Sequence, residues 1–425
     1  MSGLIGVYSR DGELNVFPHL YYGLHALQHR GQAEMGISLF KDKKINEIKG
    51  KGLISDNITD ENISSISGDK GLAHCKYAFK DDDVNSKTMP LIYDIDGEAM
   101  IIIDGKIINE DFEMRELVTK LKNREKGLSK YISNLEGAYS VIYMDNEKMI
   151  AFRDVYGIKP LSIGSTEDFI VVASETCAID TINAQNVHPL RPGEIYIVDQ
   201  YGESSHFAKE KDHALCLFEL VYIAREDSYI DELSVYKARY NMGATLAKEN
   251  PVDADIVIGA PDSGMIAALG YSKESGIPYQ KGIVRNRYIG RTFINPSADM
   301  RNFSVHLKLS AIKQNIRGKN VILVDDSIVR GTTIKRTVDI LKKAGAKSIH
   351  IRISSPPVIE NENLSIDIPD KRDLIAANNT IEEMEEMLGC DSLRFLSIEG
   401  IREACGNRNF YEKYFGGYNP LEQNK

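Results

Sequence analysis

Two adjacent aspartates at the end of an apolar run are the residues in this sequence best suited to chemistry. Asp325 and Asp326 follow residues 321–324 (VILV) and precede the polar stretch 327–333 (SIVRGTT). Paired carboxylates can accept hydrogen bonds from ribose hydroxyls or ligate magnesium. Helix-initial N–H groups and threonine hydroxyls can bind a phosphate. The pattern therefore predicts a site for a phosphorylated ribose; the alternative is that the aspartates only cap the next helix.

A second polar loop, residues 260–264 (APDSG), follows the apolar run 255–259 (DIVIG). Its small residues would let backbone amides approach a diphosphate closely. Residues 281–308 then hold six Lys or Arg and one acidic residue in a chain of formal charge −10. That local charge suits a lid that closes over a polyphosphate, and the alternative is an ordinary basic surface loop.

The elements that must position these residues differ between the two halves of the chain. In the second half, apolar strands at 255–260, 320–324 and 350–354 alternate with polar loops and helices, one from residue 265 and one over about 333–344. This alternation predicts a parallel sheet, which binds ligands at the carboxyl ends of its strands. The first half has many short strands with interspersed helices, which favours sheets covered by helices. The polar stretch 202–213 is the predicted domain boundary.

Composition excludes several classes of protein. A chain of 425 residues with 42% hydrophobic residues predicts two globular domains. The net negative charge argues against nucleic-acid binding. The sequence has no apolar run of membrane-spanning length and no signal-peptide pattern, so we expect a cytoplasmic protein without membrane contact. The five cysteines form no C-x-x-C pair, which predicts neither a disulfide framework nor a zinc site.

Residues 321–333 resemble the ribose-phosphate motif of type I phosphoribosyltransferases, and most closely that of the amidophosphoribosyltransferase family. Residues 216–228, 286–293 and 392–400 are similar to other segments of that family. The resemblance implies formation of phosphoribosylamine, the first step of purine synthesis, from phosphoribosyl pyrophosphate. It implies catalytic roles for Asp325, Asp326, Arg287 and Arg291, and Mg²⁺ ligation by Ser263, Asp325 and Asp326. The other implied substrate-binding residues are Asp262, Ser263, Gly264, Ser327, Arg330, Gly331, Thr332 and Thr333.

The first half resembles the N-terminal-nucleophile glutaminase of class II amidotransferases, an αββα fold. This likeness rests on residues 23–32, 137–140, 152–161, 173–178 and 192–194. Taken together with the likeness of the second half, it covers roughly residues 3–415. It implies a glutaminase-like domain at 1–210, a phosphoribosyltransferase domain at 211–405 and a tail at 406–425. It also implies a homodimer or homotetramer.

Four departures from the family fall on glutamine-handling positions. Ser2 stands where the nucleophilic cysteine is expected, and a hydroxyl is harder to ionise than a thiol. Lys76 replaces an arginine that binds the substrate carboxylate bidentately. Asp104, before Gly105, replaces an oxyanion-hole asparagine, and a carboxylate would repel an oxyanion. The segment with the aspartate that binds the substrate amino group has no counterpart between 109 and 135.

These departures predict weak or absent glutaminase activity and use of ammonia or another amine. Three alternatives remain open at this point: phosphoribosyl transfer to another amine or a nucleobase, a non-catalytic nucleotide-binding regulator, and glutamine-dependent activity retained with Ser2. Some family members hold an iron–sulfur cluster on four cysteines. Only Cys216 matches one of those positions, and Gly406 and Asn409 stand at two others, so we expect no cluster.

Overall fold

The computed structural model describes residues 1–77, 87–123, 127–209, 211–286 and 309–422. The predicted lid residues Arg287 and Arg291 lie outside these ranges. In the first half the strands are β1 (Ser2–Ser9), β2 (Glu34–Lys41), β3 (Lys44–Lys51), β4 (Lys70–Lys76), β5 (Leu91–Asp94), β6 (Glu98–Ile107), β7 (Gly137–Asp145), β8 (Lys148–Arg153), β9 (Ser162–Ser165), β10 (Phe169–Ala173), β11 (Gln185–Pro189), β12 (Glu194–Asp199) and β13 (Gly202–Phe207). The helices there are α1 (Phe17–Ala26), α2 (Ile54–Asn57), α3 (Asp60–Ser65), α4 (Met114–Asn123), α5 (Leu128–Ser133) and α6 (Thr176–Thr181).

These strands form two antiparallel sheets that pack face to face. One has the order β11-β9-β10-β1-β4-β2-β3 and the other the order β13-β12-β8-β7-β6-β5. Helices α1 and α6 cover the first sheet, and α4 covers the second. Strand β1 is buried along its whole length because one face meets helices and the other meets the second sheet. This arrangement confirms the predicted αββα fold.

The second half is built around a parallel sheet. Its strands are β14 (Leu215–Cys216), β15 (Tyr229–Ile230), β16 (Leu233–Ser234), β17 (Ile256–Gly259), β18 (Ile283–Arg285), β19 (Leu309–Ala311), β20 (Asn320–Asp325), β21 (Ser348–Ile353), β22 (Ser392–Phe395) and β23 (Phe410–Tyr411). Its helices are α7 (Val235–Glu249), α8 (Met265–Ser275), α9 (Lys313–Ile316), α10 (Thr332–Lys343), α11 (Ile375–Asn378), α12 (Ile381–Leu388) and α13 (Ile398–Ala404). The order β17-β20-β21-β22 is parallel throughout, which confirms the predicted sheet.

Two segments near the predicted boundaries belong to neighbouring structure. Residues 202–207 form the edge strand β13 beside β12, and every residue of it is exposed, so both faces are polar and no apolar alternation marks it. The segment predicted as a tail contributes β23, which pairs in parallel with β14. Its aromatic residues Phe410, Tyr411 and Tyr414 are buried against Phe218 and other core residues of the second half.

A buried ion pair joins the two halves. Arg153 at the end of β8 donates to both carboxylate oxygens of Asp231, at 2.7 and 3.1 Å. His213 lies 2.8 Å from the same carboxylate. None of the helices in the described part of the chain combines the length and the apolar composition of a membrane span.

Candidate functional site

The parallel register of β17 and β20 brings the two predicted phosphate loops together. Gly259 pairs with Val324, so the loop after β17 lies beside the carboxyl end of β20. The N–H of Ala260 donates to the carbonyl of Val324 at 2.8 Å. The hydroxyl of Ser263 lies near enough to Asp326 to lower the pKa of its carboxyl group. The proposed diphosphate loop and the paired aspartates therefore share one edge of the sheet.

Gly264 is required for this close approach. A Cβ atom on it would meet the carbonyl oxygen of Val324 and lie 2.9 Å from the Cα of Asp325, nearer than real Cβ atoms come. Both neighbours are backbone atoms of a central strand, so they cannot move aside as a flexible side chain would. The glycine thus sets the distance between the loop and the carboxylates.

We expect Gly264→Ala to destabilise the protein by about 1–3 kcal/mol and to weaken binding of phosphoribosyl pyrophosphate, since the loop must shift away from Asp325. Urea unfolding and ligand titration would measure the two effects. Lys273→Ala is the matched control, because Lys273 is exposed on α8, the helix that follows Gly264. Unchanged unfolding and binding would contradict the role given to Gly264.

The two aspartates form an electrostatically strained pair. Asp326 is buried, and burial raises its pKa, although the nearby hydroxyl of Ser263, a hydrogen bond from Ser327 and the charge of Arg239 oppose the rise. Burial, and then the adjacent charge of Asp326, hold the pKa of Asp325 well above its usual value. A magnesium ion or ribose hydroxyl donors would offset this concentration of negative charge. The residues present thus fit the Mg²⁺ that the family resemblance implies.

The helix that follows the aspartates opens with groups able to bind an anion. Gly331 precedes α10 with φ +75°, in the left-handed region that glycine adopts readily. Thr332 and Thr333, in the first turn of α10, are exposed. A phosphate can therefore reach their hydroxyls and the free N–H groups of this turn.

Two predicted substrate-binding side chains are already engaged in ion pairs at the surface. Arg330 lies 3.0 Å from a carboxylate oxygen of Asp373. Asp262 lies 2.9 Å from the guanidinium of Arg285, which comes just before the predicted lid. Both pairs are exposed, so they contribute little to stability and can exchange for a ligand at small cost.

One residue near this site carried no sequence signal. Arg239 on α7 is 7% exposed, and its guanidinium donates to the carbonyls of Leu220 and Ala224 at 2.9 and 2.8 Å. Its charge acts on both Asp326 and Glu175. A single arginine in an amphipathic helix predicts a surface residue, and only the tertiary structure shows its burial.

The predicted glutaminase positions converge at the start of the chain. Ser2 in β1 pairs with Lys76 in β4, and Ser2 is 6% exposed. The carbonyl of Ser2 accepts a hydrogen bond from Arg30 at 2.9 Å. Asp104, in β6 of the facing sheet, lies with one carboxylate oxygen 3.6 Å from the α-amino nitrogen of Met1. Gly105 follows with φ +98°, where a Cβ would collide with the carbonyl of Ala138.

Asp104 belongs to a buried group of charges that we call the amino-terminal cluster. Its members are the α-amino group of Met1 and the side chains of Arg30, Asp104, Lys159, Glu175 and Glu219. Burial raises the pKa of Asp104, but Lys159, the α-amino group and Arg30 outweigh it and lower that pKa to about 2. The predicted oxyanion-hole position therefore holds a charged carboxylate at neutral pH.

His74, Cys75 and Cys216 are buried side chains whose surroundings disfavour their charged forms. Burial lowers the pKa of His74 to about 4 and raises that of Cys75 to about 12. Cys216 lies in the core, with its sulfur 3.3 Å from the hydroxyl oxygen of Ser365 and 3.5 Å from that of Tyr414. The absence of an iron–sulfur cluster stays a prediction.

Comparisons with known proteins cover both halves of the chain. A glutamine amidotransferase domain model matches residues 74–181, and a phosphoribosyl transferase domain model matches residues 237–355. The amidophosphoribosyltransferase of Methanocaldococcus jannaschii is 40% identical, over 100% of this chain and 98% of that protein. The Bacillus subtilis amidophosphoribosyltransferase is 36% identical, over 96% and 90%. The solved structure of the B. subtilis glutamine phosphoribosylpyrophosphate amidotransferase, complexed with ADP and GMP, is 35% identical with a TM-score of 0.86, over 100% and 96%.

Proposed function

This chain belongs to the amidophosphoribosyltransferase family, and we propose that it makes 5-phosphoribosylamine with ammonia, not glutamine, as the nitrogen source. In this reaction ammonia forms a bond to C1 of the ribose, the C1–O bond to pyrophosphate breaks, and pyrophosphate leaves with the bonding electrons. The observation that carries the proposal is the parallel register of β17 and β20, in which Ala260 donates to the carbonyl of Val324 at 2.8 Å and the loop 260–264 lies against Asp325.

The side chains at this edge of the sheet bind different parts of the substrate. Thr332 and Thr333 bind the 5-phosphate with the N–H groups of α10, and the loop 262–264 binds the diphosphate. Asp325 and Asp326 accept hydrogen bonds from the ribose hydroxyls and stabilise the positive charge that builds at C1. Magnesium, when bound, would be held by Ser263, Asp325 and Asp326 and would offset the charge of the diphosphate. We propose that Arg287 and Arg291 close over the leaving pyrophosphate.

The amino-terminal cluster supports the loss of glutaminase activity. A tetrahedral intermediate needs donors aimed at its oxyanion, whereas the structure has a carboxylate at Asp104 with a pKa of about 2. Ser2 and Lys76 further weaken attack and substrate binding at the same place. A variant with the family's residue restored at one of these three positions would still carry the other two substitutions.

Pyrophosphate and glutamate release measured with phosphoribosyl pyrophosphate and glutamine, ammonium or no acceptor would test this proposal. We expect ammonium to support pyrophosphate release and glutamine to support little. Glutamate release at about 1 per second or faster would show a working glutaminase and overturn the ammonia proposal. Tight nucleotide binding without pyrophosphate release in any arm would instead favour a non-catalytic regulator.

The family also supports finer proposals about organisation. We propose a glutaminase-like domain at 1–210 and a phosphoribosyltransferase domain beginning at 211, in a homodimer or homotetramer located in the cytoplasm. Light scattering of the purified chain would determine the assembly.

A further inference from the structure

Arg239 is a buried cation whose hydrogen-bond partners are carbonyl groups. Its Nε donates to the carbonyl of Leu220 at 2.9 Å, and its Nη2 donates to that of Ala224 at 2.8 Å. Within the part of the chain that the structure describes, no carboxylate forms an ion pair with it, although only 7% of the residue is exposed. A buried charge is costly unless other charges or dipoles offset it, so this arrangement indicates a role for the charge itself.

Cations that are equally buried in the first half of the chain do have carboxylate partners. Arg30, Arg153 and Lys159 each lie 2.7 to 2.9 Å from a carboxylate oxygen. The positive charges of these three side chains are therefore largely neutralised by contact. The charge of Arg239 is left to act on groups farther away, and its two hydrogen bonds hold the guanidinium in one place.

The charge of Arg239 acts mainly on the carboxylate edge of the sheet. Burial lowers the pKa of Arg239, but a guanidinium stays charged at neutral pH. Of the negative charges that oppose this lowering, Asp326 has the largest effect and Glu175 the next. Glu175 already lies 2.7 Å from both His29 and Arg30, so other cations neutralise it. The charge of Arg239 is thus available to the proposed phosphoribosyl site.

Helices α7 and α8 set Arg239 level with the proposed diphosphate loop. A Cβ atom on Gly243 of α7 would lie 2.7 Å from the Cα of Ala267 of α8. Farther along both helices, Lys248 lies 4.0 Å from Glu274, so the two helices run side by side in the same direction. One turn back from the first contact leads to Arg239 on α7 and to the loop that ends where α8 begins.

We propose that Arg239 strengthens binding of the substrate's diphosphate through the electrostatic field of its buried charge, without touching the substrate. The inference rests on the proposed function, because it takes the loop 260–264 as the diphosphate site. Asp325 and Asp326 would repel an anionic ligand, and the cation offsets that repulsion. A charge in the protein interior is screened less by water and salt than a charge at the surface, so it acts beyond contact distance. Arg239 is in this sense a positioning residue and not a catalytic one.

The test measures binding of inorganic pyrophosphate to the full chain by calorimetric titration with Mg²⁺, at low and at high potassium chloride concentrations. Arg239→Gln keeps a donor for a backbone carbonyl and loses the charge, whereas Arg239→Lys keeps the charge. We expect Arg239→Gln to raise Kd about tenfold at both salt concentrations and Arg239→Lys to keep Kd within about threefold of wild type. Lys237→Gln, which removes an exposed charge from the same helix, should leave Kd at high salt unchanged.

The two variants separate the charge from the hydrogen bonds. A wild-type Kd in Arg239→Gln, or an equal loss of affinity in Arg239→Gln and Arg239→Lys, would overturn the proposal. The Tm without ligand shows whether each variant is folded, and Arg239→Met replaces Arg239→Gln if that variant is not. Unfolding of both neutral variants would show that the fold requires the charge and would overturn a role confined to binding.

The outcome is also separable from that of the proposed function. Unchanged pyrophosphate binding in Arg239→Gln, with ammonium-driven pyrophosphate release in the wild type, would refute this inference alone. The expected changes in pyrophosphate binding, with no release from phosphoribosyl pyrophosphate and ammonium in the wild type, would refute the proposed function alone.

Discussion

Changing Asp325 or Asp326 to asparagine should lower ammonium-driven pyrophosphate release by about 10³-fold. In the proposed mechanism, each change removes a negative charge that stabilises the developing cation at C1 and a ligand for magnesium, while the shape of the side chain is kept. The loss should be in kcat, with Asp326→Asn also raising KM for phosphoribosyl pyrophosphate because the proposed magnesium site beside the diphosphate loop loses a charged ligand. Steady-state assays over a range of phosphoribosyl pyrophosphate and Mg²⁺ concentrations would measure both.

The Tm of each variant shows whether a loss of activity is due to unfolding. Asp325 and Asp326 repel each other, and burial disfavours both charges, so each asparagine variant should unfold at a Tm equal to or above that of the wild type in the absence of Mg²⁺. Asp339→Asn on the exposed side of α10 is the control and should keep full activity. Activity within tenfold of wild type in both site variants would show that the reaction occurs elsewhere.

The elements of the proposed phosphoribosyl site were predictable because their signals are local. The apolar strand 320–324, the aspartates and the glycine before the helix lie within one stretch, and the structure has β20 at Asn320–Asp325 and α10 at Thr332–Lys343. A strand, loop and helix contiguous in sequence keep their order in space. The loop after β17 joins them through the parallel register, which the alternation of strands and helices also predicted.

The amino-terminal cluster was not predictable in the same way. Arg30 and Glu219 are 189 positions apart, and each looks like a surface residue when its charge alone is considered. Lys159 lies in a segment that resembled the family, yet nothing in that segment indicates that it would pair with Asp104. The departure at Asp104 was visible in the sequence; its compensation by buried cations needed the folded structure. The polar edge strand β13 was missed for a related reason, since neither of its faces is apolar.

Arg30 is the central cation of the amino-terminal cluster, and its loss should have the largest effect on stability. It donates to Glu219 at 2.8 and 2.9 Å, to Glu175 at 2.7 Å and to the carbonyl of Ser2, so it joins the first half of the chain to the second. Arg30→Met keeps much of the volume but leaves buried carboxylates without their cation. We expect a loss of about 3–5 kcal/mol in the free energy of unfolding at pH 7, measured in urea.

The pH dependence of this loss tests its electrostatic origin. Asp104 titrates with a pKa of about 2 in the fold against 3.8 ordinarily, so the stability it contributes is complete above pH 4 and disappears as the pH falls toward 2. His29 and Arg30 likewise outweigh burial and hold the pKa of Glu175 well below its usual value. The difference in the free energy of unfolding between wild type and Arg30→Met should therefore narrow below about pH 4, because protonated carboxyl groups no longer need a cation.

Arg10→Met is the control. It breaks an exposed ion pair with Glu203 and should lower the free energy of unfolding by no more than about 1 kcal/mol. A gap that is the same at every pH would mean that Arg30 stabilises the protein by packing and not by charge.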